Sequence, residues 1–359
     1  MQPLAFTIVT RNRLHLARAL MQSVAETFPD AARHVLIVDP CASLFDPAAE
    51  NFQVTFGTEL GLPDFESHAF VNDALGLCCL LKPAFALHLL RRSPADVLIY
   101  LDSDMLCHTR PEVLLQVLSD APVALTPHAL APLAESAPRR DNDIMRSGPF
   151  NAGFFALRRS PEADRFLQWW LSAMQRERRL EASYCHDQQF LSLAAVLFSW
   201  IAVLRDPGYN VAYWNLSERP LARDSSGCLT AGGRRLSVFH YSFFDVARPA
   251  LLVHRPPMVI PAEGALLSEI LAAYADRVWR AGYESCLRWS YAYAHFTDGK
   301  PITPAHRDYY LQRLWDEPGR SGSPFAPGFC TAGGHGLKSL YRVDEPGIRF
   351  IRWLRRGIG

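Results

Sequence analysis

The first 120 residues alternate between short apolar segments and segments with the spacing of helices. The apolar segments are Phe6–Val9, His34–Val38 and Val97–Leu101, and the helical segments are Leu14–Ala25, Leu75–Leu90 and Pro111–Leu118. A proline in the second helical segment, at Lys82-Pro83, predicts a helix start or a kink there. Apolar strands that alternate with helices are typical of a parallel sheet covered on both faces. The chain therefore predicts an α/β fold, in which ligands bind beyond the carboxyl ends of the strands.

The character of the sequence changes near residue 246. Before that point the pattern predicts a strand, a helix and a hairpin with two glycines at its turn, at Phe150–Leu157, Glu162–Gln175 and Leu229–Tyr241. Residues 262–315 have a helical pattern. We therefore predict a domain over residues 1–245 and a mainly helical region over residues 246–359.

Charge and composition exclude several kinds of protein. The chain has 37 Lys and Arg against 36 Asp and Glu, a net charge of +1, so nothing predicts nucleic acid as a partner. Its 21 Phe, 12 Tyr and 8 Trp need burial, which excludes disorder over the whole chain. Met1–Thr10 lacks the pattern of a secretory signal. The longest nearly apolar run, Phe190–Leu204, is shorter than the ~20 residues of a membrane span, and it predicts a buried helix followed by a strand.

The cysteines and the last residues bear on location. The eight cysteines form no C-x-x-C pair and most have apolar neighbours, which predicts reduced thiols in a cytoplasmic protein. Residues Ile348–Gly359 contain four arginines and no acid, with apolar residues between them. Such a segment fits either a helix docked on the protein or one lying on an anionic membrane. We therefore predict a cytoplasmic protein, with peripheral contact at the inner face of the membrane left open.

The most informative motif is Asp102-Ser103-Asp104, directly after the apolar strand. If the chain bends there, the two carboxylates face one point, and carboxylates suit Mg²⁺ or Mn²⁺, which bind phosphates. A helix cap with a solvated turn is the structural alternative. Two reaction classes use such a pair: transfer from a nucleotide sugar, and phosphate hydrolysis of the haloacid-dehalogenase type. The second expects the pair on the first strand and a Thr or Val where this chain has Leu106, which disfavours it.

Other short motifs stand around this pair in a fixed order. They are Thr7–Asn12, Asp39, Lys82-Pro83, Asn151–Gly153, Asp187–Gln189 and Phe239–Ser242. Their order over about residues 4–249 resembles that of the GT-A-fold glycosyltransferases. The resemblance is to the retaining group of glycogenin and the bacterial lipooligosaccharide galactosyltransferases (glycosyltransferase family 8-like). It implies a Rossmann-like mixed sheet that binds a nucleotide-diphosphate sugar, with a helical C-terminal region.

The resemblance also implies roles for the motif residues. The metal ligands for Mn²⁺ or Mg²⁺ would be Asp102, Asp104 and His240. The nucleotide would contact Thr10, Arg11, Asn12, Asp39, Lys82, Asp102 and Ser103. The donor sugar would contact Asn151, Ala152, Gly153 and Asp187. The residues that would act in catalysis are Asp187, Gln188 and Asn151.

Some of these residues have ordinary structural explanations that stay open. Those explanations are a helix lysine, a surface charge, an Asp-Pro turn, a bulged turn and a helix cap, for Lys82, Arg11, Asp39, Asn151 and Asp187 respectively. His240 is predicted on the second arm of the hairpin.

The chain departs from the family pattern after His240. Phe243 stands where the family has a glycine, and Arg248-Pro249 stands two residues later than its Lys-Pro.

These patterns predict a metal-dependent hexosyltransferase of polysaccharide biosynthesis. It would move a hexose from a nucleotide-diphosphate sugar, with a UDP-sugar favoured, to a glycan or lipid-linked acceptor. The resemblance implies that the configuration of the sugar is retained. An inverting enzyme with Asp187 or Asp141 as the base stays open. A binding protein for nucleotide sugars or glycans that performs no catalysis also stays open, and a haloacid-dehalogenase-type phosphatase is the least favoured alternative.

Overall fold

The computed structural model describes residues 1–41, 44–135, 137, 141–180, 186–255, 258–316 and 322–327. The chain forms two compact units. The larger unit holds Met1–Pro63 and Ala74–Ala292, and the smaller unit holds Asp64–Asp73 and the chain from Tyr293 onward. Every residue of the candidate site below belongs to the larger unit.

The described residues form fourteen strands and ten α-helices. The strands are β1 (Pro3–Val9), β2 (Ala32–Ile37), β3 (Gln53–Phe56), β4 (Val97–Leu101), β5 (Met105–Cys107), β6 (Val123–Pro127), β7 (Phe150–Arg158), β8 (Ile201–Val203), β9 (Leu221–Arg223), β10 (Leu229–Ala231), β11 (Arg234–Arg235), β12 (Val238–His240), β13 (Leu251–Arg255) and β14 (Met258–Pro261). The helices are α1 (Leu14–Thr27), α2 (Phe65–Val71), α3 (Ala74–Arg92), α4 (Glu112–Asp120), α5 (Asp141–Ser147), α6 (Pro161–Arg176), α7 (His186–Leu197), α8 (Ala265–Arg280), α9 (Tyr283–Leu287) and α10 (Pro304–Tyr309).

A seven-stranded sheet forms the centre of the larger unit, in the order β3-β2-β1-β4-β7-β6-β8. Its neighbours are parallel except for β7, which is antiparallel to both β4 and β6. The chain runs outward from β1 to β3 and then returns to β4 on the other side of β1. The carboxyl ends of β1 and β4 therefore flank a topological switch point, where α/β proteins bind ligands.

The pattern of β1 explains why both faces of the sheet are covered. All seven residues of β1 are buried. Ala5 and Val9 belong to a core cluster with Leu14 and Leu20 of α1. On the opposite face, the ring of Phe6 packs edge-on against a phenylalanine of α3. Side chains that alternate along a strand thus meet a helix on each side, which confirms the predicted α/β class.

Helix α3 is longer than the sequence predicts. It begins at Ala74, so Pro83 lies inside the helix and is not its start. By length and composition α3 is apolar enough to span a membrane, but 67% of the relevant window is buried within the protein. It contacts β1, β4 and α6. These contacts make it a core helix of this unit.

Strand β7 makes the central sheet mixed, which agrees with the mixed sheet expected from the sequence. The predicted strand is present, and β7 pairs antiparallel, with Leu101 of β4 opposite Phe154. Helix α7 followed by β8 confirms the helix and strand expected in the long apolar run. That helix is only partly buried, however, because the side chains of Leu193, Val196 and Leu197 are exposed.

The predicted hairpin is shorter than expected, and this corrects the placement of His240. Strands β10 and β11 pair antiparallel around the two glycines, but the second arm ends at Arg235. The buried strand β12 then leaves the hairpin and pairs with β5. The physical reason is that Val238 and Phe239 are apolar and must be buried, whereas Arg234 and Arg235 are exposed. His240 is therefore not on the hairpin arm.

The larger unit continues past residue 246 to Ala292. Strand β13 and helix α8 share a core cluster with β12, through Val253, Tyr274 and Phe239. The stretch after residue 246 begins with the antiparallel pair β13–β14 before its helices. The division into a catalytic domain over 1–245 and a C-terminal region over 246–359 stays a prediction.

The smaller unit has its own aromatic core. The ring of Phe70 packs against Tyr310 and Phe325. The buried guanidinium of Arg307 donates to the carbonyl oxygens of Phe70, Asn72 and Tyr293. This arginine ties the two chain segments of the unit together. The basic segment 348–359 lies outside the described residues.

Candidate active site

Two cavities open at the sheet edge where β1 and β4 end. The β1 lobe, of about 640 Å³, is lined by Val9, Thr10 and Arg13 among others. The β7 lobe, of about 530 Å³, is lined by Asn151 and Asp187 among others. The two lobes share Leu75, Cys79, Lys82, Asp102, Asp104 and Phe243. The acidic pair after β4 therefore stands where the lobes meet.

Three side chains at this junction form a candidate cation site. Asp102, Asp104 and His240 each offer one ligand atom, and these atoms lie within 4.8 Å of one another. Backbone hydrogen bonds bring the three side chains together. The N–H of Asp102 donates to the carbonyl oxygen of Gly153 (2.8 Å), and the N–H of Tyr241 donates to the carbonyl oxygen of Asp104 (2.8 Å). The structure thus brings together the three residues that the sequence predicts as metal ligands.

The residues present fit a divalent cation. Two carboxylates and one imidazole are a donor set that Mn²⁺ accepts, and carboxylates also suit Mg²⁺. Gly153 keeps the space beside them clear. A Cβ at this position would lie 2.7 Å from Asp102 Oδ2 and 2.9 Å from His240 Cε1. Only glycine leaves these two ligands undisturbed.

The charge of His240 depends on its carboxylate neighbour. Burial would lower the pKa of this imidazole, but Asp104, whose Oδ1 lies 3.2 Å from Nε2, raises the pKa above its ordinary value of 6.5. The same contact, working against burial, holds the pKa of Asp104 below its ordinary value. The other ring nitrogen, Nδ1, lies 3.1 Å from Asn210 Oδ1.

A buried ion pair joins α3 to α7 beside the cation site. Lys82 Nζ lies 2.8 Å from Asp187 Oδ2 and 3.4 Å from Asp102 Oδ1, and it donates to the carbonyl of Ala152 at 3.2 Å. Burial would lower the pKa of Lys82, but the two carboxylates raise it well above its ordinary value. Burial would raise the pKa of Asp187, but Lys82 lowers it. Both groups are therefore charged at neutral pH.

Amide side chains form a network on the β7 side. Asn151 Nδ2 donates to Gln188 Oε1 at 2.9 Å, and Gln188 Nε2 donates to the carbonyl of Ser147 at 3.0 Å. Gln188 Oε1 also accepts from the N–H of Ala152 at 3.3 Å. The structure therefore gathers Asn151, Ala152, Gly153, Asp187 and Gln188, the predicted sugar-side residues, in one place.

The predicted nucleotide residues divide into two sets. Thr10, Lys82, Asp102 and Ser103 line the β1 lobe. Arg11, Asn12 and Asp39 are not among the lining residues of either lobe. Asn12 accepts from the hydroxyl of Thr10 at 2.6 Å.

Arg11 and Asp39 hold a distant part of the chain. Asp39 accepts from the backbone N–H of Arg11 and of Ala292, both at 2.8 Å. The guanidinium of Arg11 donates to the carbonyls of Ser290 (2.6 Å) and Pro40 (2.7 Å). These contacts fasten the segment after α9 to the sheet edge, and a nucleotide contact by either residue stays a prediction.

The sequence reasoning missed several lining residues. Arg13, Tyr274 and Tyr283 line the β1 lobe, and Asp143 and Trp214 line the β7 lobe. Arg13 could have been predicted, because it stands only three residues after Thr10. Asp141, predicted as a candidate base, does not line either lobe, and it accepts from the N–H of Leu133 at 3.2 Å.

Phe243 explains one departure from the family pattern. Its φ is +60°, in the left-handed region that favours glycine. The backbone therefore keeps the conformation that a glycine would adopt, and the side chain adds a ring that lines both lobes. The guanidinium of Arg255 lies 4.4 Å from the centre of this ring. Arg248, by contrast, lies 3.6 Å from Asp245 and lines neither lobe.

No protein-family model matches the sequence, and no curated protein matches it at a significant level. Solved structures with a similar fold include several glycosyltransferases. Galactosyltransferase LgtC, in complex with donor and acceptor sugar analogs, is 14% identical, with a TM-score of 0.45 over 76% of this chain and 95% of its own. Mouse xyloside xylosyltransferase 1 is 13% identical, with a TM-score of 0.41 over 67% of this chain and 98% of its own. GlyE of Streptococcus pneumoniae is 12% identical, with a TM-score of 0.43 over 82% of this chain and 67% of its own.

Proposed function

We propose that this protein is a metal-dependent GT-A glycosyltransferase that moves a hexose from a nucleotide-diphosphate sugar to a glycan or lipid-linked acceptor. The position of Asp102, Asp104 and His240 at the junction of the two lobes carries the proposal. A nucleotide sugar has its diphosphate in the middle, with a nucleoside on one side and a sugar on the other. A cation site with a cavity on each side matches that distribution of charge and shape.

Each lobe suits one part of such a donor. The β1 lobe offers a hydroxyl and a cation from Thr10 and Arg13 and aromatic rings from Tyr274 and Tyr283, which are groups suited to a nucleoside. We favour a UDP-sugar on the motif order. The β7 lobe offers the amides of Asn151 and Gln188, which are suited to the hydroxyls of a hexose and of its acceptor. Both volumes are in the range of small-molecule sites, about 300–1,000 Å³.

The charges at the junction support transfer chemistry. A divalent cation bound by Asp102, Asp104 and His240 supplies positive charge that stabilises a departing diphosphate. Lys82 adds a fixed positive charge at the same place, since it stays protonated between two carboxylates. Asp187 stays ionised beside the sugar-side amides. Its negative charge stabilises the positive charge that develops on a sugar ring when the bond between sugar and phosphate breaks.

We propose retention of configuration, in the family 8-like group, from the motif order of the sequence. In that mechanism a donor phosphate oxygen helps to deprotonate the acceptor, so the protein need not supply a base. An inverting reaction would need a base near the acceptor hydroxyl. Among the predicted bases, Asp187 is paired with Lys82 and Asp141 lines neither lobe.

A donor screen tests the proposal. The full chain is incubated with a panel of UDP- and GDP-sugars, mixed glycan and lipid-linked acceptors and Mn²⁺, and products are detected by mass spectrometry. We expect one or more donors to yield a glycosylated product whose anomeric configuration, read by NMR, equals that of the donor. Binding of donors without transfer or donor hydrolysis over the whole panel would contradict the proposal and favour a binding protein.

The variant Asp104→Ala provides the matched control for this screen. Its carboxylate is part of the cation site and its backbone stays paired with Tyr241. We expect loss of metal-dependent UDP binding by calorimetry with a nearly unchanged melting temperature. Unchanged UDP affinity in this variant would contradict the metal role.

We further propose that the protein acts in polysaccharide biosynthesis in the cytoplasm.

A further inference from the structure

Asn210 is a fully buried polar residue that the proposed chemistry leaves without a role. Its exposed fraction is 0%, and it lies between β8 and β9. Its φ is +54°, in the left-handed region, where asparagine is several times more frequent than other non-glycine residues.

Hydrogen bonds determine the orientation of the Asn210 amide. Its Nδ2 donates to Asn151 Oδ1 at 3.0 Å and to Thr126 Oγ1 at 3.2 Å. The hydroxyl of Thr126 donates to the carbonyl oxygen of Phe154 at 2.9 Å, so it can only accept a hydrogen bond from Asn210. Asn151 Oδ1 also accepts from the N–H of Gly153 at 3.1 Å, which identifies that atom as oxygen. Asn210 therefore turns its oxygen, Oδ1, toward His240.

This orientation selects one tautomer of His240. Asn210 Oδ1 only accepts, so His240 Nδ1, at 3.1 Å, carries a proton and donates it. The opposite ring nitrogen, Nε2, faces Asp104 Oδ1 at 3.2 Å. In the neutral ring Nε2 then has a free lone pair, which is what a metal ligand requires.

We propose that Asn210 is a positioning residue that holds His240 in the Nδ1–H tautomer and presents Nε2 to the cation. The inference rests on the metal site of the proposed function. Partners that orient a ligating histidine typically change metal affinity by about 10- to 100-fold. The same amide also holds Asn151, so one residue connects the cation site with the sugar-side network.

Mn²⁺ binding to the full chain tests this role without any transfer assay. Free Mn²⁺ is measured by electron paramagnetic resonance for the native protein and for Asn210→Ala, Asn210→Asp and Asn215→Ala. We expect Asn210→Ala to bind Mn²⁺ about 10- to 100-fold more weakly. Asn210→Asp keeps an acceptor at His240 Nδ1, so we expect it to recover most of the affinity.

Asn215→Ala is the matched control. Asn215 is also 0% exposed, and it makes three hydrogen bonds, to His128, Asn210 and Ala212, all through the backbone of its partners. We expect it to lower thermal stability as much as Asn210→Ala while leaving Mn²⁺ affinity unchanged. Equal affinity of Asn210→Ala and the native protein, or an equal loss in Asn215→Ala, would overturn the inference.

The tautomer itself gives a second measurement that needs no Asn210 variant. Native protein labelled with ¹⁵N-histidine and loaded with Mg²⁺ is examined by NMR, and His240 is assigned by its absence in His240→Gln. We expect a protonated Nδ1, and a protonated Nε2 would overturn the inference.

The outcomes distinguish this inference from the proposed function. If the protein binds Mn²⁺ but transfers no sugar, the proposed function is refuted and the role of Asn210 stands. If the protein is active and Asn210→Ala leaves its Mn²⁺ affinity unchanged, the proposed function stands and the role of Asn210 is refuted. A native chain that does not bind Mn²⁺ refutes both the proposed function and the role of Asn210.

Discussion

The side chain of Lys82 shows how burial and pairing together set the charge of one residue. Its ammonium is almost fully removed from water, which by itself favours the neutral amine. Asp187 and Asp102 reverse that preference. A snorkelling helix lysine would keep its amine in water. Here the amine is in the protein interior, where a fixed charge acts more strongly on a bound phosphate than it would at the surface.

Stability against acid reports on the same ion pair. The pKa of Asp187 is lower in the folded protein than its ordinary value of 3.8, so its contribution to stability is present above about pH 4 and is lost as the pH falls through the folded value. We expect Asp187→Asn to cost about 3 kcal/mol at neutral pH, because the buried ammonium of Lys82 then loses its closer carboxylate and is paired with Asp102 alone. The variant should also lose less unfolding free energy than the native protein on acidification. Urea unfolding at a series of pH values below about pH 5 measures both.

The control for this experiment is Asp276→Asn. Asp276 forms an exposed ion pair with Arg280 one helical turn away, a kind of pair that contributes little to stability. Its dependence of unfolding free energy on pH should match that of the native chain. If Asp187→Asn also matched the native chain, the coupling between Lys82 and Asp187 would be absent in solution.

Two reversals of chain direction build the site at the scale of strands. Strand β7 runs antiparallel to β4, so its beginning, with Asn151 and Gly153, lies beside the end of β4. Strand β12 pairs with β5, which follows the acidic pair, and this pairing delivers His240. A parallel β7 would place the Asn151–Gly153 segment beside the beginning of β4, at the opposite end of the strands from the cation site.

Gly153→Ala tests the fit between β7 and the cation site. The new methyl would stand within 3 Å of the side chains of Asp102, Asn151 and His240. All three contacts are with side-chain atoms and none is with backbone, so we expect the chain to fold. The displaced ligands should weaken Mn²⁺ binding by about tenfold or more. Calorimetric titration with Mn²⁺ and thermal unfolding together measure the two effects.

Ala156→Val supplies the comparison for this variant. Ala156 lies on the same strand, is fully buried and belongs to the core cluster rather than to either lobe. Overpacking there should cost about 1–3 kcal/mol of stability without changing Mn²⁺ affinity. Similar Mn²⁺ affinities for Gly153→Ala and Ala156→Val would show that β7 does not shape the cation site.

At the scale of the whole molecule, the larger unit contains the complete candidate site. The segment after β12 extends this unit to Ala292 and contributes Arg255, Tyr274 and Tyr283 to the lobes. A chain cut at residue 245 would lack these walls. The stretch 246–292 thus supplies part of the wall of each lobe.

The basic segment 348–359 leads to a prediction about location. Each of its four arginines would contribute about 1 kcal/mol of binding free energy near an anionic bilayer. We propose that it brings the enzyme to the inner face of the membrane, and we expect deletion of 348–359 to reduce sedimentation with vesicles that contain anionic lipid. Vesicles of neutral lipid are the control. Absence of sedimentation of the full chain with anionic vesicles would refute peripheral binding.

Local pattern was sufficient for the class of fold and for the acidic pair. Apolar runs of strand length between helical segments leave few ways to bury them, so β1, β2, β4 and the helices α1 and α3 follow from the chain itself. The end of an apolar strand is a defined place in such a fold. The position of Asp102-Ser103-Asp104 at a ligand-binding edge was therefore predictable from neighbouring residues alone.

Contacts between distant residues decided the rest. The direction of β7, the pairing of β12 with β5, and the use of Arg11 and Asp39 to hold Ala292 each depend on partners far along the chain. Asn210 has no local signal, since its partners are residues 126, 151 and 240. Local spacing specifies which face of a strand or helix is apolar, whereas only the packed fold specifies which polar atoms meet. The sequence therefore determined the scaffold and its acidic edge, and tertiary structure determined which side chains complete the site.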